Sequence, residues 1–340
     1  MSDYYERRLA DAKARAKEAA KRRAASRAKG EEKDYARVRA RPILPGTRYM
    51  VTRRTLERRK FLTPDEKDGK EIATFIGFTM GLALRNSGVL LHASLAMSNH
   101  HHTSCTDSLA KLPEFKNPFH AFVARGVNAK RGRSDSFWSD DGCCDLEQLD
   151  DETVLQDIVY IYTNPVAAGA VKWPEQWEGF STYGWKFGEV KRFYRPTWFY
   201  DPNNKDIPEC VELKLVRPDI FRHLTDDELH DLIMRRVRER SIELRAEHRK
   251  QGKPRIQGPK KVGRQKWNEP PKTESELFKV KPTVSSRSKW TRIAALQRNV
   301  EWERRYAVCR AETIAGGDPE YPYGTYWMRR FAGVRVAAAP

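Results

Sequence analysis

The stretch from Ile72 to Thr106 constrains the fold more than any other part of this chain. Ile72, Phe75, Ile76, Thr79 and Leu82 recur with a helical period, and Gly88 stands where such a helix would stop. "VLLHASLAM" follows at once and reads as a strand, and "HHHTSCT" as a further strand returning after a Ser98-Asn99 turn. Upstream, "RYMVTRRTLE" opens with alternating character and β-formers and predicts a strand. Downstream, "PEFKNPFHAFVARGVNAKRG" holds a second helix after Pro118, and "DSFWSD" a short strand or loop. "DDETVLQDIVYIYTNPVAAGAV" gives a third helix, with acidic residues in its first turn and Pro165 soon after its last turns. Strand–helix–strand–strand–helix in this order predicts an α+β fold with helices packed on one antiparallel sheet.

The flanks differ from this centre. Residues 1–41 are rich in Ala, Arg, Lys and Glu, with high helix propensity but no stripe of large apolar residues; they predict an exposed or disordered basic arm. Residues 42–200 form the first folded unit. Residues 201–250 are a helical extension, where Thr225 and Glu228 make a capping box and Ile233, Val237, Ile242 and Leu244 give a narrow apolar stripe. Residues 251–288 are rich in Pro, Lys and Gly and read as a basic linker, and residues 289–340 as a small C-terminal module. In that module Trp290, Trp302, Tyr321, Tyr323, Tyr326 and Trp327 are expected mostly to form a core.

Charge follows the same division. The formal net charge is +18, of which +7 falls on residues 1–41, +1 on 42–200 and +10 on 201–340. Basic flanks on a neutral centre fit arms that hold a polyanion through phosphate contacts and counterion release, with nucleic acid favoured over an anionic membrane surface. No apolar run approaches the length of a membrane span, and the N-terminus lacks the apolar middle of a secretory signal, which predicts a cytoplasmic chain. Five cysteines without repeating spacing fit a reducing compartment.

Two motifs carry chemistry. On a strand, His100 and His102 project from one face with imidazoles close enough to share an ion, while His101 points the other way. A polar turn with three ordinary histidines is the plain alternative. Sixty residues on, Tyr160 and Asn164 lie at i and i+4 on one helix face. A phenol can attack a phosphodiester when a metal polarises the phosphate, and an amide oxygen one turn further along can be the third protein ligand. Two histidines, a side-chain oxygen and a tyrosine together favour metal-assisted DNA strand transfer over a pair of packed aromatics.

The segment from Pro45 to about Tyr183 resembles the REP-associated tyrosine transposases, relatives of the single-tyrosine transposases of bacterial insertion sequences in the HUH endonuclease superfamily. The resemblance rests on "PGTRYMVTRR", "AMSNHHHT" and "YIYTNPVAAGAV", followed by "WPEQWEGFSTYG". It implies a ferredoxin-like antiparallel sheet with helices on one face, with a mainly helical basic C-terminal extension added here. His100, His102 and Asn164 would hold Mg²⁺ or Mn²⁺, and two nitrogen donors would suit Mn²⁺ at least as well. Tyr160 would be the nucleophile on single-stranded, hairpin-containing DNA, leaving a 5′-phosphotyrosine. The partner is then DNA and no membrane, the chain working as a monomer or homodimer in a bacterial, nucleoid-associated setting.

Departures from the family pattern are His101 in place of a small apolar residue, Ser98 for Pro, Ala167 for Arg, and the acidic "SFWSDDGCCDLEQL". None removes a ligand or the nucleophile. They also fit an alternative, a domesticated, catalytically weakened DNA-binding protein. Arg53, Arg54, Arg58, Arg59 and Lys60, with Lys130, Arg131 and Arg133, are candidate phosphate contacts, or simply solvated faces. Cys143, Cys144 and Cys105 with the histidines would suit zinc, but adjacent cysteines lack the spacing of structural zinc sites.

Overall fold

Strands form where β-branched and apolar side chains alternate, and their register decides which side chains meet. A computed structural model describes residues 40–64, 70–140, 142–252, 256–269 and 282–340. The expected basic arm over residues 1–41 lies almost wholly outside them. The first strands are β1 (Thr47–Arg54), β2 (Val89–Ala96), β3 (His100–Asp107) and β4 (Cys144–Gln148). They lie in the order β2-β3-β1-β4, every neighbouring pair antiparallel. Helix α1 (Glu71–Ser87) joins β1 to β2, and α2 (Leu112–Lys130) joins β3 to β4. This βαββαβ succession with interleaved strand order is the ferredoxin-like arrangement, and the protein is α+β as the sequence predicts.

Local chemistry sets the helix limits. Gly88 closes α1 at φ 69°, a left-handed backbone that glycine adopts without steric cost, and its N–H bonds Leu84 O. Helix α2 begins before Pro118 rather than after it. The Asp107 carboxylate accepts from the Lys111 and Leu112 amides at 2.7 and 2.8 Å, so the turn is capped six residues earlier, and Pro118 is tolerated in the second turn. Strand β4 was hidden by its polarity: "CDLEQ" has one large apolar residue, and Asp145 is held by Arg41 and Lys116.

Helix α3 (Asp151–Ala167) carries the "YIYTN" motif. Asp150 caps it by accepting from Thr153 N at 2.8 Å, and Pro165 lies inside its last turn. Val154, Ile158 and Ile161 are fully buried and fasten it to the sheet, each contributing roughly 1.5–3 kcal/mol. Helices α1 and α2 pack together on one face of the sheet and α3 lies on the other, so the expectation of helices on one face is corrected: β2 and β3 are buried at nearly every position and need cover on both faces.

Beyond the sheet, β5 (Val190–Tyr194) and β6 (Cys210–Lys214) form an antiparallel pair lying on α1. The pair spans residue 200, where the sequence suggested a boundary; its strands are joined by a long loop that turns at Asp201-Pro202-Asn203-Asn204. The contact is made through glycines. A Cβ at Gly77 would fall 2.2 Å from the Phe193 ring, and one at Gly81 2.6 Å from Val211 Cγ2.

Helix α4 (Asp226–Lys250) starts at the expected capping box and packs along α3. Its buried line is Leu229, Ile233, Val237 and Ser241, spaced by four; of the expected stripe Leu244 is half-buried against the core, while Ile242 is 53% exposed. The expected linker is docked over part of its length. Residues 256–269 include the short helix α5 (Pro259–Gly263), and Val262 is buried. Residues 282–285 return to the sheet, where β7 (Val284–Ser285) pairs in parallel with β4. Helix α6 (Lys289–Ile314) and α7 (Trp327–Ala332) complete the chain. Tyr321 is fully buried against Tyr306, and Trp302 donates to Tyr323 O at 2.7 Å, so part of the expected aromatic core forms. Trp290 and Trp327 are exposed instead. Among the described residues no helix is long and apolar enough to cross a membrane.

Candidate active site

The register of β1 on β3 sets Thr52 opposite His102, Arg53 opposite His101 and Arg54 opposite His100. Alternation then sends Thr52, Arg54, His100 and His102 toward α3, and Arg53 and His101 toward α2. On the α3 side, Tyr160 and Asn164 come down onto the histidines. The His100 and His102 rings are 4.7 Å apart between centroids, and the Tyr160 ring lies 5.2 Å from His102, edge to face. Asn164 is the hub of the cluster. Its Nδ2 donates to His102 Nε2 at 3.3 Å, and its amide lies close enough to His100 and Tyr160 to influence their proton affinity. The residues predicted from "NHHH" and "YIYTN" therefore converge on one point.

Two further side chains fix the imidazoles, and neither was singled out from the sequence. Asn99 donates from Nδ2 to Arg58 O at 3.1 Å, which turns its Oδ1 toward His100 Nδ1, 2.7 Å away. An amide oxygen only accepts, so His100 carries its proton on Nδ1 and its lone pair on Nε2. Thr52 Oγ1 lies 2.8 Å from His102 Nδ1, and the Asn164 donor faces Nε2, so His102 has the same tautomer. Burial, reinforced by the nearby Arg54 charge, lowers His100 to about 4; burial and the neighbouring histidines hold His102 well below its ordinary value. Both rings are neutral at pH 7 with Nε2 lone pairs on the α3 side, as metal ligation requires. Among the described residues no three His, Cys, Asp or Glu side chains gather around one point. The side chain beside the two histidines is the Asn164 amide, and the cysteine alternative has no cluster among the described residues to support it; the five cysteines form no disulfide.

Tyr160 is 46% exposed. Partial burial raises its phenol above the ordinary value, while Asn164 and the Arg54 charge pull the other way. The phenol is therefore protonated at neutral pH.

The opposite face is closed. His101 Nε2 and His120 Nε2 are 2.8 Å apart, one donating and the other accepting. Phe119 and Trp138 pack edge-on against His101, and Trp138 Nε1 donates to His120 O at 2.9 Å. The polar replacement at 101 is thus matched by a second imidazole from α2. His120 stands out in the sequence only as a polar residue on the Phe115–Phe119–Val123 face.

The candidate phosphate contacts separate. Arg54 is exposed beside the cluster, and its charge acts on His100, His102 and Tyr160. Arg53 lies over Trp138, Arg133 3.7 Å over Phe61, and Arg131 is buried, donating to Thr63 O at 3.0 Å. Lys130 pairs with Glu71. Arg59 pairs with Glu57 at 2.8 Å and donates to Asn268 O. Arg58 has φ 55° and its carbonyl orients Asn99. Most of these cations are engaged with partners elsewhere in the protein, and Arg54 lies beside the cluster.

No family model matches the chain, and no curated protein does. Among solved structures, it is similar to a REP-associated tyrosine transposase bound to a REP hairpin, at 19% identity over 44% of this chain and 82% of that one, with a TM-score of 0.31. It is also similar to a protein of Deinococcus radiodurans R1 assigned as a transposase, at 18% identity over 36% of this chain and 93% of that one, with a TM-score of 0.26.

Proposed function

We propose that this chain is a metal-dependent single-stranded DNA endonuclease and strand transferase of the transposase type, acting through a 5′-phosphotyrosine. The observation that carries this reading is the cluster centred on His102, whose ring meets His100 and Tyr160 and whose Nε2 accepts from Asn164, with the Nδ1 atom of each imidazole held on the far side by Thr52 or Asn99.

His100 and His102 would hold Mg²⁺ or Mn²⁺ through Nε2, with Asn164 Oδ1 as the oxygen donor; two nitrogens favour Mn²⁺ on softness. The bound ion would draw charge from a phosphate oxygen and lower the cost of the transition state. Asn99 and Thr52 hold the two rings in place, so little reorganisation accompanies binding. Arg54 gives the phosphate a second positive contact on the open side. The Tyr160 oxygen attacks phosphorus as its proton passes to solvent water, which reaches the half-exposed side chain. The bond from phosphorus to the 3′ oxygen breaks, and that oxygen departs as a hydroxyl after taking up a proton. The DNA 5′ end stays on Tyr160 as a phosphodiester. Attack by a 3′ hydroxyl reverses the step, so rejoining needs no nucleotide cofactor. The departure at position 101 leaves this face untouched, since His101 is satisfied by His120.

The test is incubation of the full chain with labelled hairpin-containing oligonucleotides and Mn²⁺. A covalent adduct is expected on Tyr160 and none on Tyr160→Phe. Cleavage and trapping that persist unchanged in Tyr160→Phe would overturn the assignment.

A further inference from the structure

Residues 256–269 separate two long helices and contain no apolar repeat, yet they are tied down at both ends. At one end, Gln257 N and Gly258 N donate to Gly169 O and Ala170 O at 3.0 and 2.8 Å, just beyond the C-terminal turn of α3. Asn164 lies in that last stretch of α3. At the other end, Trp267 packs on Phe61 with ring centroids 6.2 Å apart, Arg131 lies over the Trp267 ring, and Asn268 O accepts from Arg59 at 2.8 Å. The segment around Arg59 and Phe61 is itself tied to the turn that leads into His100, through Leu62 N to Ser98 O and Thr55 N to Asn99 O. In the middle, Val262 is 2% exposed and anchors the segment to the core. The strap thus runs from the wall that presents Asn164 to the wall that presents Asn99 and His100.

Its outward side chains are cationic. Lys260, Lys261 and Lys266 are exposed and make no ion pair among the described residues. Glu269 is the only acidic residue from 256 to 269. We propose that this strap is a single-stranded DNA contact, with Lys260, Lys261 and Lys266 binding backbone phosphates next to the one cleaved at Tyr160. It rests on the reading of the site as a DNA transesterase for its location, and on its own charge for its ligand. Flexible lysines read phosphate charge and not base sequence, so the contact serves affinity for any strand that enters the site. Pinning lowers the ordering cost that an unattached linker would bring to binding.

The experiment measures binding of a hairpin with a single-stranded flank to the full chain carrying Tyr160→Phe, so that cleavage plays no part, across a salt series. The triple variant Lys260→Ala, Lys261→Ala, Lys266→Ala is compared on that background. Loss of three phosphate contacts should flatten the slope of log affinity against log salt by about 2, and weaken binding on the order of 100-fold at 0.1 M salt. Thermal unfolding of the triple variant should be unchanged, since all three side chains point outward. A slope unchanged with affinity within twofold overturns the strap proposal and leaves the catalytic reading standing. A flattened slope, with the chain bearing native Tyr160 giving no covalent adduct, overturns the catalytic reading and keeps the strap. If the chain binds no single-stranded flank at any salt, both fall.

Discussion

Strand β3 carries three consecutive histidines, and its two faces put the same side chain to opposite uses. On the α3 face, His100 and His102 have one nitrogen held by the protein and the other turned toward Tyr160 and Asn164. On the α2 face, His101 spends its hydrogen-bonding capacity on His120 and Thr103 and is sealed by Phe119 and Trp138. The difference is not burial, since all three rings have their protonated form disfavoured mainly by desolvation. It lies in what the second nitrogen faces. A ring whose second nitrogen is taken up by another imidazole is structural, and one whose second nitrogen faces the Asn164 amide beside a half-exposed phenol is placed for the ligation proposed here.

The contrast breaks most sharply with His102→Ala. Cleavage in Mn²⁺ should fall by about 10³-fold or more, and Mn²⁺ binding followed by titration calorimetry should be lost; the urea midpoint should fall as well, since His102 is buried and bonded to Thr52 and Asn164. His101→Ala should spare the metal. It leaves His120 buried without its partner and opens a small cavity, costing about 2–4 kcal/mol in urea unfolding while Mn²⁺ affinity holds. Replacing both partners by apolar residues, as in His101→Val with His120→Phe, should cost less than the single change. If His101→Ala instead abolished Mn²⁺ binding in a folded protein, the two faces would not be independent.

Acid probes the structural side through a histidine remote from the site. His92 on β2 donates from Nδ1 to Val216 O at 2.7 Å and accepts from Thr106 at Nε2, and burial lowers it to about 4. The unfolded chain titrates near 6.5, so below that pH it binds more protons than the folded chain. Stability should therefore be complete above about 6.5, fall through the interval to about 4, and be lost to the extent of roughly 3 kcal/mol for this one residue. Urea midpoints at pH 7 and 4.5 check the sign. Smallest is Thr52→Val, which removes the Nδ1 partner of His102 and keeps the shape. Mn²⁺ affinity should fall about tenfold with the fold intact, and Thr52→Ser should restore it.

Much of this architecture was legible from residue order. The helical period of α1, the β2–β3 turn, the i and i+4 pair on α3 and the capping box of α4 are local signals, and each element forms where its signal lies. The convergence of Tyr160 and Asn164 on His100 and His102 was also foreseeable, since strand and helix periods fix which side chains share a face. What escaped was set by partners distant in sequence. Polar β4 is a strand because β1 and β7 pair with it, and the docked strap is ordered by Val262, Trp267 and backbone bonds to Gly169 and Ala170. Asn99 and Thr52 are ordinary in sequence and acquire their role only when β1 lies against β3.

The glycine contact between α1 and the β5–β6 pair has a consequence for how tolerance to change would map onto this chain. Gly77 and Gly81 sit one turn apart on a helix, far from any candidate ligand, and a methyl group at either would overlap Phe193 or Val211. A saturation survey scored on function would mark both as intolerant as Tyr160, since losing the joint loosens the core beneath it. Intolerance at those two positions would record a mechanical fitting and not a reaction, and a map of essential residues for this chain has to be divided by that distinction before any chemistry is read from it.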